Sequence, residues 1–409
     1  MTISTVTKRI LQFNQGRQRD LLELKLENMC KDAFVFLRGA CHLFYDEWPL
    51  KSALNDTPRV WLCGDLHLEN FGSYQGENGL VYFDINDFDE AVLAPCTWDL
   101  ARLLTSLLLG IGAKKQVALA LGQVYLDAYC QALAAGRAYW IERETATGLV
   151  RELLDTLRAR RRKDFLNKRT KVKGKQRRFR IQPEHVRPAS DEVRAQLESF
   201  FKTWTPPPEI LALNLPPDFF KLQDVARRVA GTGSLGVERY ALLVEGLGSP
   251  QHNYLLDLKE ARPSALLPLA HRLRVPQPVW PDEAARIVEV KKRLQAVPPL
   301  LTSVEIAGTH YVLGELQPTQ DRVNLESCRG RGKKLRAVVA DMGRLTAWLQ
   351  VRGSRHQGSA SVEELSAFAR SQTWQAALLR QVQKCYEQTV TEHQAYRADY
   401  KRGEVRVRD

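Results

Sequence analysis

Cysteine is scarce here and poorly placed for either of its structural uses. The seven cysteines among 409 residues are odd in number, scattered, and never spaced as Cys-x-x-Cys. That pattern argues against a zinc site and a disulfide framework, and points to a reducing compartment. Long apolar runs are missing too. The first twenty residues hold no hydrophobic core of signal-peptide length, and no uninterrupted apolar segment reaches membrane-spanning length, so the expectation is a cytoplasmic protein that engages no membrane. Acids are in short supply: 47 Asp and Glu face 60 Lys and Arg, leaving a net charge of +13 and a pI near 9.4. Such a balance favours polyanionic partners, among them nucleotides, nucleic acid and anionic surfaces. With 44% hydrophobic residues over this length the chain can bury a large core divided into more than one lobe.

Against that basic background, two short stretches are crowded with carboxylates. The apolar run Val60-Trp61-Leu62-Cys63 reads as a buried strand that stops at Gly64 and opens into a loop carrying Asp65, His67, Glu69 and Asn70. A second run, Leu80 to Phe83, ends in Asp84, Asp87, Asp89 and Glu90. Ordinary turns use the same residues. Clustered carboxylates nevertheless repel one another unless a cation or a proton lies between them. The interval from Asp65 to Asn70 is the Asp-x-x-x-x-Asn of a kinase catalytic loop, in which the Asp accepts the substrate hydroxyl proton and the Asn holds a metal. Asp87 follows the next strand, where such enzymes keep the Asp that ligates magnesium.

These residues carry a resemblance. GDLHLEN, Gly64 to Asn70, resembles the Gly-Asp-Leu-His-x-x-Asn loop of aminoglycoside phosphotransferases and related small-molecule kinases, and DFDEAVLAPCTWDLA, Asp87 to Ala101, resembles the segment that follows it there. Together with FVFLRG, Phe34 to Gly39, and FDINDFDE, Phe83 to Glu90, the chain is similar over most of its length to the uncharacterised domain-of-unknown-function family 2252, grouped with the protein-kinase-like superfamily. The resemblance implies an α+β, protein-kinase-like two-lobe fold and ATP with Mg2+ as cofactors. It also implies Asp65 as the catalytic base with His67 beside it, and Asn70 and Asp87 as metal ligands. Asp84 and Asp89 are further candidates for the metal. Asp99, opening a leucine-striped helix, reads equally as a charge on the helix dipole or as a brace for the catalytic loop.

Downstream, Arg158 to Arg180 is almost wholly basic, opposed only by Asp164. It reads as a solvated, mobile face, with a clamp for an anionic partner as the sharper alternative. Its two aromatics, Phe165 and Phe179, are too few for a single-strand stacking platform. Prolines around Pro183, Pro188 and Pro206 to Pro208 mark a lobe boundary. Gly231-Thr232-Gly233-Ser234-Leu235-Gly236 is a Gly-x-Gly-x-x-Gly followed by β-formers rather than a helix, which predicts a β-hairpin whose tip covers nucleotide phosphates. Lys259 closes the next predicted strand, where a kinase keeps its α/β-phosphate lysine. A helix over Glu283 to Leu294 offers Glu289 as that lysine's partner, with Glu283 competing, and Glu315-Leu316-Gln317 is positioned as the hinge that meets adenine.

The glycine turn and its lysine follow the acidic loops, the reverse of the usual kinase order, which predicts a circularly permuted chain. The expected division is a helical lobe with the catalytic and metal loops at 1–205, a β-rich nucleotide-binding lobe at 206–318, and helices returning to the first lobe at 319–409. The function expected is an ATP- and magnesium-dependent phosphotransferase acting on an unidentified hydroxyl acceptor. The rivals are a metal-dependent phosphoester hydrolase and a non-catalytic nucleotide- or polyanion-binding module. The sequence names neither the acceptor nor the oligomeric state.

Overall fold

The computed structural model describes residues 3–112, 114–158, 160–318, 320–323 and 332–407. It is an α+β fold. Four helices begin it: α1 (Thr5–Phe13), α2 (Arg19–Met29), α3 (Ala33–Gly39) and α4 (Cys41–Asp46). The apolar periodicity of Asp20 to Trp48 predicts one continuous helix, but the stretch forms three, with Asp32 turning its carboxylate onto the Val35 N–H at 2.8 Å to cap the second.

Strand β1 (Arg59–Trp61) then leads into the first acidic loop. β2 (Phe71–Gln75) and β3 (Val81–Ile85) form a hairpin, and the second acidic loop joins it to β4 (Leu93–Pro95), which returns to pair with β1. Two core helices, α5 (Thr97–Gly110) and α6 (Lys115–Ala135), pack behind them, and β5 (Ile141–Glu142) pairs with β3. By length and composition α6 could cross a membrane, but more than half of its most apolar window is buried inside the fold.

After α7 (Gly148–Arg158) come α8 (Arg162–Arg169) and the hairpin β6 (Thr170–Lys173) with β7 (Gln176–Phe179). Next are β8 (Val186–Pro188), α9 (Asp191–Thr203) and α10 (Pro208–Leu211), and then the main sheet: β9 (Leu222–Arg228), β10 (Arg239–Val244) and β11 (Tyr254–Glu260). Helices α11 (Leu267–Arg272) and α12 (Glu283–Leu294) precede β12 (Thr302–Ile306) and β13 (Thr309–Glu315). The six strands run in the order β12-β13-β11-β10-β9-β8, every neighbouring pair antiparallel.

Alternation along these strands gives the sheet two apolar faces. Val225, Leu242, Leu256 and Leu313 face α9, whose Leu197 and Phe201 cover them. Ala226, Ala241, Leu243 and Leu255 face the other way, onto Phe165, Leu166 and Phe179. The basic segment is therefore folded against the sheet, and β8 enters the sheet some twenty residues ahead of the boundary expected at 206. Its arginines masked the apolar positions beneath them.

Helices α13 (Gly332–Arg352), α14 (Val362–Ser371) and α15 (Gln375–Lys401) return to the first core. Gly343 lets α13 lie directly on α6, where a Cβ would meet the Tyr125 carbonyl. The Tyr125 hydroxyl donates to Thr346 at 2.9 Å and the Tyr129 hydroxyl to Gln350 at 2.6 Å.

Candidate functional site

The loop after β1 turns at Gly64, which has φ +90° and where a Cβ would run into the Glu90 carbonyl, so only glycine lets the two acidic loops touch. Asp99, in the first turn of α5, takes the backbone N–H of Cys63 at 2.8 Å and of Gly64 at 3.0 Å. It is the loop's brace. Burial pushes its pKa up to about 7 against the pull of those two N–H groups.

One turn further along α5, Arg102 is fully buried and grips Oδ1 of Asp65 through Nε at 3.0 Å and a terminal nitrogen at 2.5 Å. The guanidinium lies 4.9 Å over the Phe44 ring. Burial raises the Asp65 pKa and Arg102 pulls it back, leaving the carboxylate above its ordinary value. Oδ2 faces the glycine turn, 3.9 Å from where a Gly233 Cβ would sit.

The two other candidates in this loop hold its shape. His67 is 5% exposed, and its Nδ1 accepts the Glu69 N–H at 3.1 Å. Burial and the nearby Arg38 and Arg102 hold the imidazole well below its usual pKa, so the ring is neutral. The structure gives His67 a bracing place in the loop, both ring nitrogens engaged. Asn70 turns Oδ1 back onto the His67 N–H at 2.7 Å. Arg38 is buried at 8% exposure and pairs with Glu69 at 2.9 Å.

In the second loop the acids part company. Asp84 points into the core, fully buried, and pairs with Arg352 at 2.6 Å, so it is not available to a metal in the cleft. Asp87 stands open to the cleft, its Oδ1 accepting only the Asp89 N–H at 3.3 Å. Desolvation pulls its pKa up, but Lys259, the Asp89 N–H, Arg239 and Lys291 outweigh it and hold the carboxylate below the usual range. Asp89 is ion-paired with Lys259. Glu90 accepts the Ala265 N–H at 2.5 Å, and burial raises its pKa to about 7.

Lys259 and Asp87 therefore converge on one cleft. Lys259 lies directly across from Arg239 in the β10–β11 register, and Tyr240 opposite Arg227 in the β9–β10 register puts Arg228 next in line. Three cations thus cross three strands on one face, beneath the glycine turn. Asp257, one step further along that face, takes Arg228 at 2.8 Å and Arg239 at 2.9 Å. The turn is held from outside: Gly233 O accepts from Arg17 at 2.7 Å and Lys25 at 2.8 Å, and Gly236 O from the Gln18 N–H at 2.8 Å. Gly231 and Gly236 have φ of +75° and +86°. Thr232 and Ser234 lie half-buried in the same turn, and a Gly231 Cβ would touch the Ser234 hydroxyl.

Helix α12 presents a different face from the one expected. Glu289 is exposed and does not reach Lys259. Its position along the helix axis suited the role, but its angular position does not. Arg286 and Lys291 point inward instead. Arg286 donates to the carbonyls of Asp89 at 2.8 Å and Ala91 at 2.6 Å, fixing the second acidic loop. Lys291 faces Asp87, Asp89 and Asp257. The hinge positions are occupied internally. Glu315 pairs with Arg162 at 2.5 Å, the Leu316 N–H donates to Leu255 O at 2.8 Å, and Gln317 accepts the Gln75 N–H at 3.0 Å.

A separate cleft of about 720 Å³ opens on the other side of the glycine turn's Gly231 and Thr232, lined also by Arg38, Glu69, Arg187 and Arg322, and Asp65, Asp87 and Lys259 do not line it. Among the described residues no three His, Cys, Asp or Glu side chains gather around one point as a cation cage. Asp87, with Asp89 once it leaves Lys259, offers the hard oxygen donors that Mg2+ takes when phosphate oxygens and water complete its shell.

No curated protein and no solved structure matches the chain. A family model does, over residues 17–399, and its description reads "Uncharacterized protein conserved in bacteria (DUF2252)". That span takes in both acidic loops, the glycine turn, Lys259 and every strand of the main sheet, and the chain belongs to this family.

Proposed function

We propose that the protein is a kinase-like phosphotransferase that moves a phosphoryl group from a nucleoside triphosphate, with Mg2+, to a hydroxyl acceptor. One observation carries the reading: Lys259 and Asp87, remote in sequence, meet in one cleft under a glycine turn that lies against Asp65. A glycine hairpin, a lysine on its third strand and a helix before the remaining two strands are the phosphate-gripping parts of a kinase. Because the helices and acidic loops come first and the sheet is followed by helices that rejoin the first core, a circularly permuted two-lobe arrangement accounts for the order.

In this reading Asp65 Oδ2 takes the acceptor's proton while Arg102 fixes the carboxylate by its other oxygen. The acceptor oxygen forms a bond to the terminal phosphorus, the bond to the bridging oxygen breaks, and the nucleoside diphosphate leaves with that electron pair. Lys259, Arg228 and Arg239 neutralise the phosphates that stay behind. Mg2+ would be held by Asp87 and Asp89 and would supply positive charge to offset that of the phosphates.

The test is magnesium-dependent binding of labelled ATP to the wild type and to Asp87→Ala, followed by transfer of label into a metabolite extract. Binding is expected to fall about a hundredfold or more in the variant, and equal affinity would overturn the assignment. Asn70, whose oxygen is used by His67, favours a second reading in which triphosphate binds without turnover. Binding with no label transferred to any acceptor selects that reading.

A further inference from the structure

A purine bound under a sheet of this kind needs an apolar slot beneath the strands, and among the described residues that space is filled. Ala226, Ala241, Leu243, Leu255 and Leu316 are at most 6% exposed, and the side chains covering them are Phe165, Leu166 and Phe179. That cover is tied down. Arg162 pairs with Glu315 and lies 3.9 Å over the Tyr254 ring, the Phe179 N–H donates to Asp224 at 2.8 Å, and Arg178 donates to Gln223 O at 2.6 Å. At the segment leaving the sheet, the Leu316 N–H donates to Leu255 O at 2.8 Å and Gln317 Oε1 accepts the Gln75 N–H at 3.0 Å.

The phosphate end is the opposite case. Beside the row of Arg228, Arg239 and Lys259 stand two further cations, Lys291 and Arg169, for which no ion pair occurs among the described residues. Arg169 rests on the Phe165 ring at 3.8 Å, with Arg228 and Arg160 close enough to repel it. Counting Arg160 and its partner Asp321, six cations meet four acids there, the other three being Asp87, Asp89 and Asp257. Half-buried cations that outnumber the acids around them are costly to assemble unless an anion joins them, and guanidinium forks fit phosphate oxygens in pairs.

We propose that this cleft chooses its ligand by the phosphate chain and not by the base, so that any nucleoside triphosphate, and inorganic tripolyphosphate itself, is bound. The proposal rests on the nucleotide reading above and narrows it. Phe165 and Phe179 are then a permanent wall that takes the place of a base pocket, and Lys291 and Arg169 supply grip that base stacking provides elsewhere.

The experiment is calorimetric titration of the full chain, with Mg2+ at fixed ionic strength, using ATP, GTP, CTP and tripolyphosphate, each then displacing labelled ATP. The four dissociation constants are expected to agree within about threefold, a small free-energy difference. ATP binding about tenfold or more tighter than tripolyphosphate and GTP would overturn base indifference while leaving nucleotide binding intact. Absence of binding by all four would overturn the nucleotide reading and this proposal together. Arg169→Gln should weaken all four ligands by a similar factor, and selective weakening of ATP alone also counts against the idea.

Discussion

In the proposed reading, turnover depends on Asp65. Asp65→Asn keeps an acceptor for Arg102 but removes the base, so single-turnover phosphoryl transfer should fall by about 10²–10⁴-fold while triphosphate affinity holds, as paired kinetic and binding measurements would reveal. Glu90 has a different signature. Its pKa is raised from 4.5 to about 7, so between those values the folded chain keeps a proton that the unfolded chain has released. Stability from this group is complete below that window and lost as pH rises through it. Glu90→Gln keeps the oxygen that meets the Ala265 N–H. It should be more stable than wild type at pH 8 by up to about 3 kcal/mol, with the gap closing by pH 4.5, in denaturation midpoints taken at both. Asp65, Asp87 and Lys259 were legible in the sequence because each lies in a short local pattern. Arg102, Arg286 and Lys291 were not, because what makes them matter is which way a helix faces after packing. The i, i+3 spacing of Asp99 and Arg102 on one leucine-striped helix was the available signal for the first of them.

Among the elements, the strands and helices of the second half follow their sequence signals closely: α12 spans the predicted Glu283 to Leu294, and the glycine turn joins two antiparallel strands. The misreadings came where side-chain capping or long-range packing overrides periodicity. Asp32 divides one expected helix. Gln372, in the left-handed region at φ +51°, separates α14 from α15. The segment from Arg158 to Arg180 looked solvated because charge dominates its composition, yet Phe165 and Phe179 anchor it. Phe165→Ala should cost about 3–5 kcal/mol in urea denaturation, against almost nothing for a mobile surface segment.

For the molecule as a whole, the tie between β3 and α13 is decisive. Asp84 and Arg352 form a pair at 0% and 5% side-chain exposure that joins the acidic loops to a helix arriving after the whole main sheet. Arg352→Met leaves that carboxylate buried alone and should destabilise the fold by about 3–5 kcal/mol, measurable as a lower denaturant midpoint, whereas a surface pair would cost under about 1 kcal/mol. Charge, length and the paucity of cysteine had bounded the class of protein, and the reversed order of glycine turn and acidic loops was plain from the sequence. Which core each segment joins was not, because pairing between distant segments leaves no local mark. The amino-terminal contacts to the glycine turn carry a practical consequence. A version trimmed ahead of residue 26 would keep Asp65, Asp87 and Lys259 while losing the donors of Arg17, Gln18 and Lys25, so its glycine turn would hang slack, and under the proposed reading weak triphosphate binding by such a preparation would reflect the trimming.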